Sequence, residues 1–144
     1  MASIAIGLDS RMLPGEDSLR NAGYAILKEL YKQLDLGSFW NWKTRGLSVP
    51  YSVDRIFRLL VFSRILYTGS KKKAFDHRQL FFEGFHGFSL DDVYYSLDII
   101  AKNQEDLQKW IFDHSGSLCK RDMSVSYFDC TNYYFDIGHP DTDS

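Results

Sequence analysis

The sequence predicts a mainly α-helical protein of about five helices followed by a β-hairpin. Between residues 17 and 116, apolar residues recur at helical spacing, in segments that begin at Ser, Asp or Asn and end at Gly. From Met123 onward the repeat of the side-chain pattern changes to two residues, which is typical of strands. Of the 144 residues 44% are hydrophobic, which is enough for one ordinary hydrophobic core.

The first predicted helix is capped by Asp17 or Ser18 and ends at Gly37, because glycine commonly terminates helices. Residues 38–50 are predicted to form a connector. Its large aromatic side chains are expected to pack on the core rather than to bind a ligand. These are Phe39, Trp40 and Trp42.

The second helix is predicted to begin after Ser52 and to run to Gly69. Its apolar residues lie on almost every face, so most of the helix should be buried. Arg55 and Arg58 are three residues apart and should share one exposed basic edge. A short third helix is predicted to begin at Ser70, with three lysines at its start.

Two more helices are predicted after a turn region that reads EGFHGF. Ser89 and Asp92 have the spacing of a capping box, with Asp in the place of the usual Glu. Asn103 and Asp106 repeat this capping pattern for the last helix. Gly116 is the expected end of that helix.

The alternating region contains an acidic residue among aromatic ones. Residues 126–137, SYFDCTNYYFDI, are predicted to form two strands joined at Thr131-Asn132, with Asp129 near the end of the first strand. A carboxylate in such a strand is costly unless it is paired or bound to metal. An Asx-type hydrogen bond within the turn is the alternative explanation. Asp136, on the second strand, is expected to face solvent.

Charge is distributed unevenly along the chain, although the net charge is −2. Residues 43–78, the basic segment, carry nine Lys or Arg against two Asp, a net charge of +7. Residues 79–144, the acidic segment, carry four Lys or Arg against twelve Asp or Glu, a net charge of −8. The basic segment indicates a surface for a polyanion. Mutual neutralisation of the two segments within the fold is the alternative.

Several classes of protein are not indicated by the sequence. No run of about 18 apolar residues suggests a membrane span, and the start of the chain lacks the pattern of a secretory signal. Cys119 and Cys130 do not resemble a disulfide framework, so we expect a cytoplasmic protein. Their spacing from His114 and His139 matches no usual zinc pattern.

Two stretches resemble insertion-sequence transposases of the DDE type. They are the helix pair SLDDVYYSLDIIAKNQEDLQKWIF and the aromatic-Asp-x-Thr-Asn-aromatic hairpin in SVSYFDCTNYYFDI. The resemblance covers roughly residues 15–144. It implies a helical DNA-binding and assembly region over residues 1–120. It also implies that residues 121–144 are the first two strands of a ribonuclease H-like catalytic sheet, with Asp129 as the first of three catalytic acids.

The resemblance also implies a metal-dependent reaction. Two divalent ions in such sites stabilise the attacking and leaving oxygens of a phosphodiester, so Asp129 is the expected ligand of Mg²⁺ or Mn²⁺. Full-length members of the family continue with further strands, a second Asp and a Glu. These are missing here, so we expect a truncated transposase that is catalytically incomplete. Its expected partner is double-stranded DNA at transposon ends.

Phosphate contacts are expected from five cations of the basic segment, which would position the protein without reading the base sequence. These are Lys71, Lys72, Lys73, Arg78 and Arg64. The alternative function is a non-enzymatic helical interaction module that self-associates through aromatic surface. A homo-oligomer is therefore a second candidate partner.

Overall fold

The protein is mainly α-helical in a computed structural model that describes residues 23–81, 84–116, 118–119 and 124. These residues form six α-helices and a 3₁₀ turn, and they contain no strand. The helices are α1 (Gly23–Gln33), α2 (Leu36–Thr44), α3 (Val53–Leu66), α4 (Lys71–Asp76), α5 (Leu90–Lys102) and α6 (Gln104–Ser115), with the 3₁₀ turn at Arg78–Leu80. The start of the first predicted helix and the predicted hairpin lie outside the described residues.

Helix α3 lies at the centre of the assembly and packs against α1, α2, α4 and α5. Ile56 is 0% exposed, Phe57 9% and Phe62 1%, although these three side chains leave the helix at least about 100° apart. This confirms the prediction of a mostly buried second helix. Its start is also as predicted, because the backbone N–H of Arg55 donates to Ser52 Oγ at 3.2 Å.

Aromatic rings join α1, α3 and the segment between α4 and α5. The Tyr24 ring centroid lies 5.5 Å from that of Phe62 and 5.8 Å from that of Phe81. Phe81 and Phe85 are each 1% exposed, and their rings are nearly perpendicular with centroids 5.4 Å apart. Such edge-to-face pairs contribute about 0.5–1.5 kcal/mol beyond the area they bury. The segment that leads into α5 is therefore held to the core by two rings.

The predicted connector is wrong, because most of it forms α2. Helix α1 ends at Gln33, Asp35 adopts a left-handed conformation with φ of 50°, and Gly37 lies inside α2 rather than ending a helix. Burial explains why this short helix forms although Asp35 makes no side-chain cap. Its three buried residues have the i, i+3, i+4 spacing of one helix face. They are Leu36, Phe39 and Trp40.

The prediction that the aromatic residues of this region pack on the core is confirmed for Phe39 and Trp40, which are both 0% exposed. It is wrong for Trp42, whose side chain is 57% exposed. Two residues along a helix correspond to a rotation of about 200°, so Trp42 leaves α2 on the side opposite to Trp40.

The capping predictions differ in outcome. Ser89 and Asp92 form a complete capping box: Ser89 Oγ accepts from the Asp92 N–H at 3.2 Å, and Asp92 Oδ2 accepts from the Ser89 N–H at 2.7 Å. Asn103 does not cap α6 with its side chain. Its Nδ2 donates to the carbonyl of Ile99 at 2.8 Å instead. Only Asn103 separates α5 from α6, so its amide satisfies a carbonyl at the end of α5.

Trp110 attaches helix α6 to Leu34 and to Phe39 of α2. The indole Nε1 donates to the carbonyl of Leu34 at 3.0 Å, and the ring centroid lies 5.6 Å from that of Phe39. The helix ends at Ser115, with Gly116 at the predicted position after it. Among the described helices, none has the length and apolar character needed to cross a membrane.

We expect Ser89→Ala to lower the free energy of unfolding by about 1 kcal/mol, because the substitution removes the hydroxyl that accepts from the Asp92 N–H, while the bond from the Ser89 N–H to Asp92 Oδ2 can remain. Urea denaturation followed by circular dichroism measures this change. Ser38→Ala on the exposed face of α2 is the control and should change the free energy by less than about 0.5 kcal/mol. Equal effects of the two substitutions would contradict the role of the capping box.

Candidate nucleic-acid interface

The three consecutive lysines of the basic segment form the first half of α4. Lys71, Lys72 and Lys73 are all exposed. The helix begins where the sequence predicts, because the Lys73 N–H donates to Ser70 Oγ at 3.2 Å. The stem of Lys73 lies so close to Gly69 that a Cβ there would be 2.8 Å from Lys73 Cδ. This contact restricts the directions that the Lys73 side chain can take.

The second half of α4 holds the lysines in place. The Phe75 ring packs against the Phe88 ring with centroids 6.0 Å apart, and α4 contacts both α3 and α5. Arg78 braces the same turn: its guanidinium lies 4.0 Å from the Phe75 ring centroid, and its Nη1 donates to the Phe75 carbonyl at 2.8 Å. Arg78 is half-buried. Its charge is thus directed at Phe75, whereas the charges of the lysines are directed at solvent.

Arg64 lies in a different environment from the lysines. It is exposed in the last turn of α3 and lines an apolar groove together with Val61, Ile65 and Leu97. Arg64 makes no ion pair within the part of the chain that the structure describes. Its predicted role in phosphate binding stays a prediction.

Other cations of the basic segment are used within the fold. Lys43 pairs with Asp106 of α6, and its Nζ lies 4.4 Å from the Trp42 ring centroid. Arg55 Nη1 donates to the carbonyl of His86 at 2.7 Å and so ties α3 to the segment before α5. Within the described residues, Lys43 with Asp106 is the one ion pair that joins the basic segment to the acidic segment. Neutralisation between the basic and acidic segments therefore does not extend to Lys71, Lys72 and Lys73, which make no ion pair within the described residues.

Arg58 is not part of an exposed basic edge, so that prediction is wrong. Its Nη2 donates to Asp54 Oδ2 at 2.7 Å, and the two side chains are only 19% and 14% exposed. Tyr31 of α1 completes a buried polar triad, because its hydroxyl donates to Asp54 Oδ1 at 2.6 Å. The Arg58 guanidinium also lies 5.3 Å from the Tyr31 ring centroid. The i, i+4 spacing of Asp54 and Arg58 is the sequence signal that indicates such a pair.

The triad keeps Tyr31 protonated. Burial of its ring raises the pKa of the Tyr31 hydroxyl well above its usual range, and the adjacent Asp54 carboxylate raises this pKa further. A neutral donor beside an ion pair is suited to orienting Asp54 rather than to proton transfer near neutral pH. We therefore assign the triad a structural function, which is to link α1 to α3.

The predicted catalytic residue Asp129 lies outside the described residues, and so does the hairpin that would carry it. The described residues contain no group of three or more His, Cys, Asp or Glu side chains that could hold a metal ion. The assignment of Asp129 as a ligand of Mg²⁺ or Mn²⁺ stays a prediction.

Comparisons of the chain with protein-family models, with curated proteins and with solved structures found no match.

We expect Tyr31→Phe to lower the free energy of unfolding by about 1.5–3 kcal/mol at neutral pH, because it removes a hydrogen bond to a charged group. A raised folded-state pKa contributes stability below the unfolded pKa of about 10, and that stability is lost as pH rises above it. The advantage of the wild type over Tyr31→Phe should thus shrink by about 1.4 kcal/mol per pH unit above pH 10.

Urea denaturation of both proteins between pH 7 and pH 11 measures this difference. Tyr95→Phe, at a 66% exposed tyrosine of α5, is the control for the loss of a hydroxyl group. At neutral pH this control should change the free energy of unfolding by less than about 0.5 kcal/mol. A constant difference between wild type and Tyr31→Phe at all pH values would refute the assignment.

Proposed function

We propose that the helical region of this chain binds double-stranded DNA through Lys71, Lys72 and Lys73. The proposal extends to the biological role: the region is the DNA-binding and assembly part of an insertion-sequence transposase of the DDE type. The observation that supports DNA binding most strongly is the presentation of three consecutive exposed lysines on a helix that Phe75 anchors to the fold. The transposase assignment rests on the resemblance in the helix pair and in the hairpin around Asp129.

The chemistry of the lysines favours phosphate groups as their ligands. Consecutive residues of a helix point about 100° apart, so the three ammonium groups spread around the start of α4 rather than forming one compact pocket. Long flexible stems let such groups reach neighbouring phosphates of one DNA strand as point charges. A small anion would engage only one or two of them. An extended polyanion is therefore the better ligand. Contacts with the phosphates of DNA position a protein without reading the base sequence of the DNA.

The placement of the lysines has a small cost for folding. Positive charges at the start of a helix oppose the helix dipole, typically by about 0.3–1 kcal/mol each when exposed. Bound phosphates would remove this cost. Arg64 and Arg78 contribute less in this proposal, because Arg78 is braced against Phe75 and Arg64 lines an apolar groove.

The first test is the salt dependence of binding to duplex DNA. Each lost phosphate contact should reduce the slope of log K against log salt by about 0.9. Substituting Ala for Lys71, Lys72 and Lys73 together should flatten this slope by up to about two to three units and weaken binding to all sequences similarly. Fluorescence anisotropy titrations at several salt concentrations measure both quantities.

A matched control separates a local site from a change in net charge. Lys32, Lys102 and Lys109 are also exposed lysines, so their triple substitution by Ala removes the same total charge from other helices. We expect this control to change the slope by less than about one unit. Equal slopes for wild type and the Lys71–Lys73 variant would leave these lysines as solvated charges and would favour the interaction-module alternative.

The catalytic part of the proposal has its own test. We expect the purified 144-residue chain to show no nicking of supercoiled plasmid with Mg²⁺ or Mn²⁺, because a two-metal site needs several carboxylates and the resemblance assigns only Asp129 to it. Nicking that Asp129→Ala abolishes would contradict this expectation. In a chain that supplies the other two acids, Asp129→Ala should abolish cleavage and leave DNA binding unchanged.

A further inference from the structure

An apolar groove between α3 and α5 lies apart from the lysines and from the buried triad. We call it the α3–α5 groove. It has a volume of about 320 Å³ and is lined by Phe57, Leu60, Val61, Arg64, Ile65, Leu97 and Ile100. All of these residues except Arg64 are apolar, and Ile65 is 58% exposed. A contiguous apolar surface of this kind indicates a binding site more strongly than single exposed residues do.

The chain enters α1 near the last turns of α3. Tyr24 packs against Phe62 near the end of α3, whereas Tyr31 contacts Phe57 and Asp54 near its start. Helices α1 and α3 are therefore antiparallel, and Gly23, the first residue of α1, is close to the last turns of α3. Residues 1–22 precede Gly23 directly. They consequently join the fold near Ile65 of the groove, because Ile65 and Phe62 are three residues apart on α3.

The sequence of this preceding segment suits the groove in polarity. Ile4, Ile6 and Leu8 alternate with smaller residues, so an extended backbone would place all three side chains on one face. Asp9 follows directly, and its carboxylate is complementary to the Arg64 guanidinium that lines the groove. Arg64 makes no ion pair with any described residue.

The lengths also agree. An extended segment from Ile4 to Leu8 spans about 13 Å, and the groove follows α3 from Phe57 to Ile65, a rise of about 12 Å. The fifteen residues from Leu8 to Gly23 can span up to about 50 Å when extended. This linker is long enough for the segment to turn back along α3 in either direction.

We propose that residues 4–9 of this chain bind in the α3–α5 groove, with Ile4, Ile6 and Leu8 against its apolar lining and Asp9 paired with Arg64. The occupant is the chain's own N-terminal segment rather than a second copy or another protein. This binding site is independent of the proposed DNA contacts at α4. It would cover Ile65.

Hydrogen–deuterium exchange of the full chain, read by mass spectrometry, tests the proposal. The amides of residues 4–9 should exchange at least about tenfold more slowly than expected for an unprotected peptide. Ile65→Glu places a charge in the groove and should abolish this protection. Ile26→Glu is the matched control, because Ile26 is a 45% exposed isoleucine on the face of α1 opposite to the buried Tyr24. It should leave the protection unchanged.

A second variant excludes a trivial loss of folding. Ile6→Glu alters the segment and none of the described side chains, so it should abolish the protection of residues 4–9 while the amides of α3 and α5 stay protected. Absence of protection in the wild type would overturn the proposal, as would protection that survives both Ile65→Glu and Ile6→Glu. Protection that falls on tenfold dilution of the protein would instead assign the groove to a second copy of the chain.

Discussion

The burial of α3 is the constraint on which the rest of the described structure depends. A helix with apolar residues on nearly every face cannot be covered by one neighbour, so α1, α2, α4 and α5 each cover a part of it. The two charged side chains that α3 keeps near the core, Asp54 and Arg58, form an ion pair there, and the Tyr31 hydroxyl donates to the same carboxylate. Removing one partner of such a pair would leave an uncompensated charge. Because Tyr31 belongs to α1, its hydrogen bond to Asp54 also fixes the position of α1 on α3. One side of α3 is the exception to this coverage, and the α3–α5 groove runs along it from Phe57 to Ile65.

Local chemistry explains which elements could be predicted from the sequence. Ser52, Ser70 and the Ser89–Asp92 capping box act through hydrogen bonds between residues three positions apart, so their patterns determine helix starts without knowledge of the fold. Helix α2 could not be predicted in this way. It has no side-chain cap and is stabilised by burial of Leu36, Phe39 and Trp40 against distant elements. Asn103 is a residue type that commonly caps helix starts, but it also directly follows α5. In the structure its side-chain amide donates to the Ile99 carbonyl of α5 rather than capping α6.

The same distinction applies to the candidate site. Three adjacent lysines after a capping serine were enough to predict an exposed cationic helix start, because no local partner competes for them. The arginines were not predictable from charge alone. Arg58 forms an ion pair with Asp54 one turn away, and Arg78 stacks on the Phe75 ring. Arg55 donates to a carbonyl 31 residues away in the sequence. A planar group with five donors and a stackable face makes such internal contacts more readily than an ammonium group does. Net charge over the basic segment therefore overstates the charge that is free to act at the surface.

Anchoring and charge are divided between the two halves of α4, and this division is what would make a helix of six residues useful in binding. A free peptide of this length would not hold a helix in water. Ser70 caps the start of α4. At its other end, the Phe75 ring packs against Phe88, and Arg78 donates to the Phe75 carbonyl. The lysines thus project from a rigid turn, so their backbone entropy is lost on folding rather than on binding. The proposed function therefore depends on the anchoring of α4 by Phe75. Without this contact, the same three charges would belong to a flexible loop and would attract phosphates more weakly and with less defined orientation.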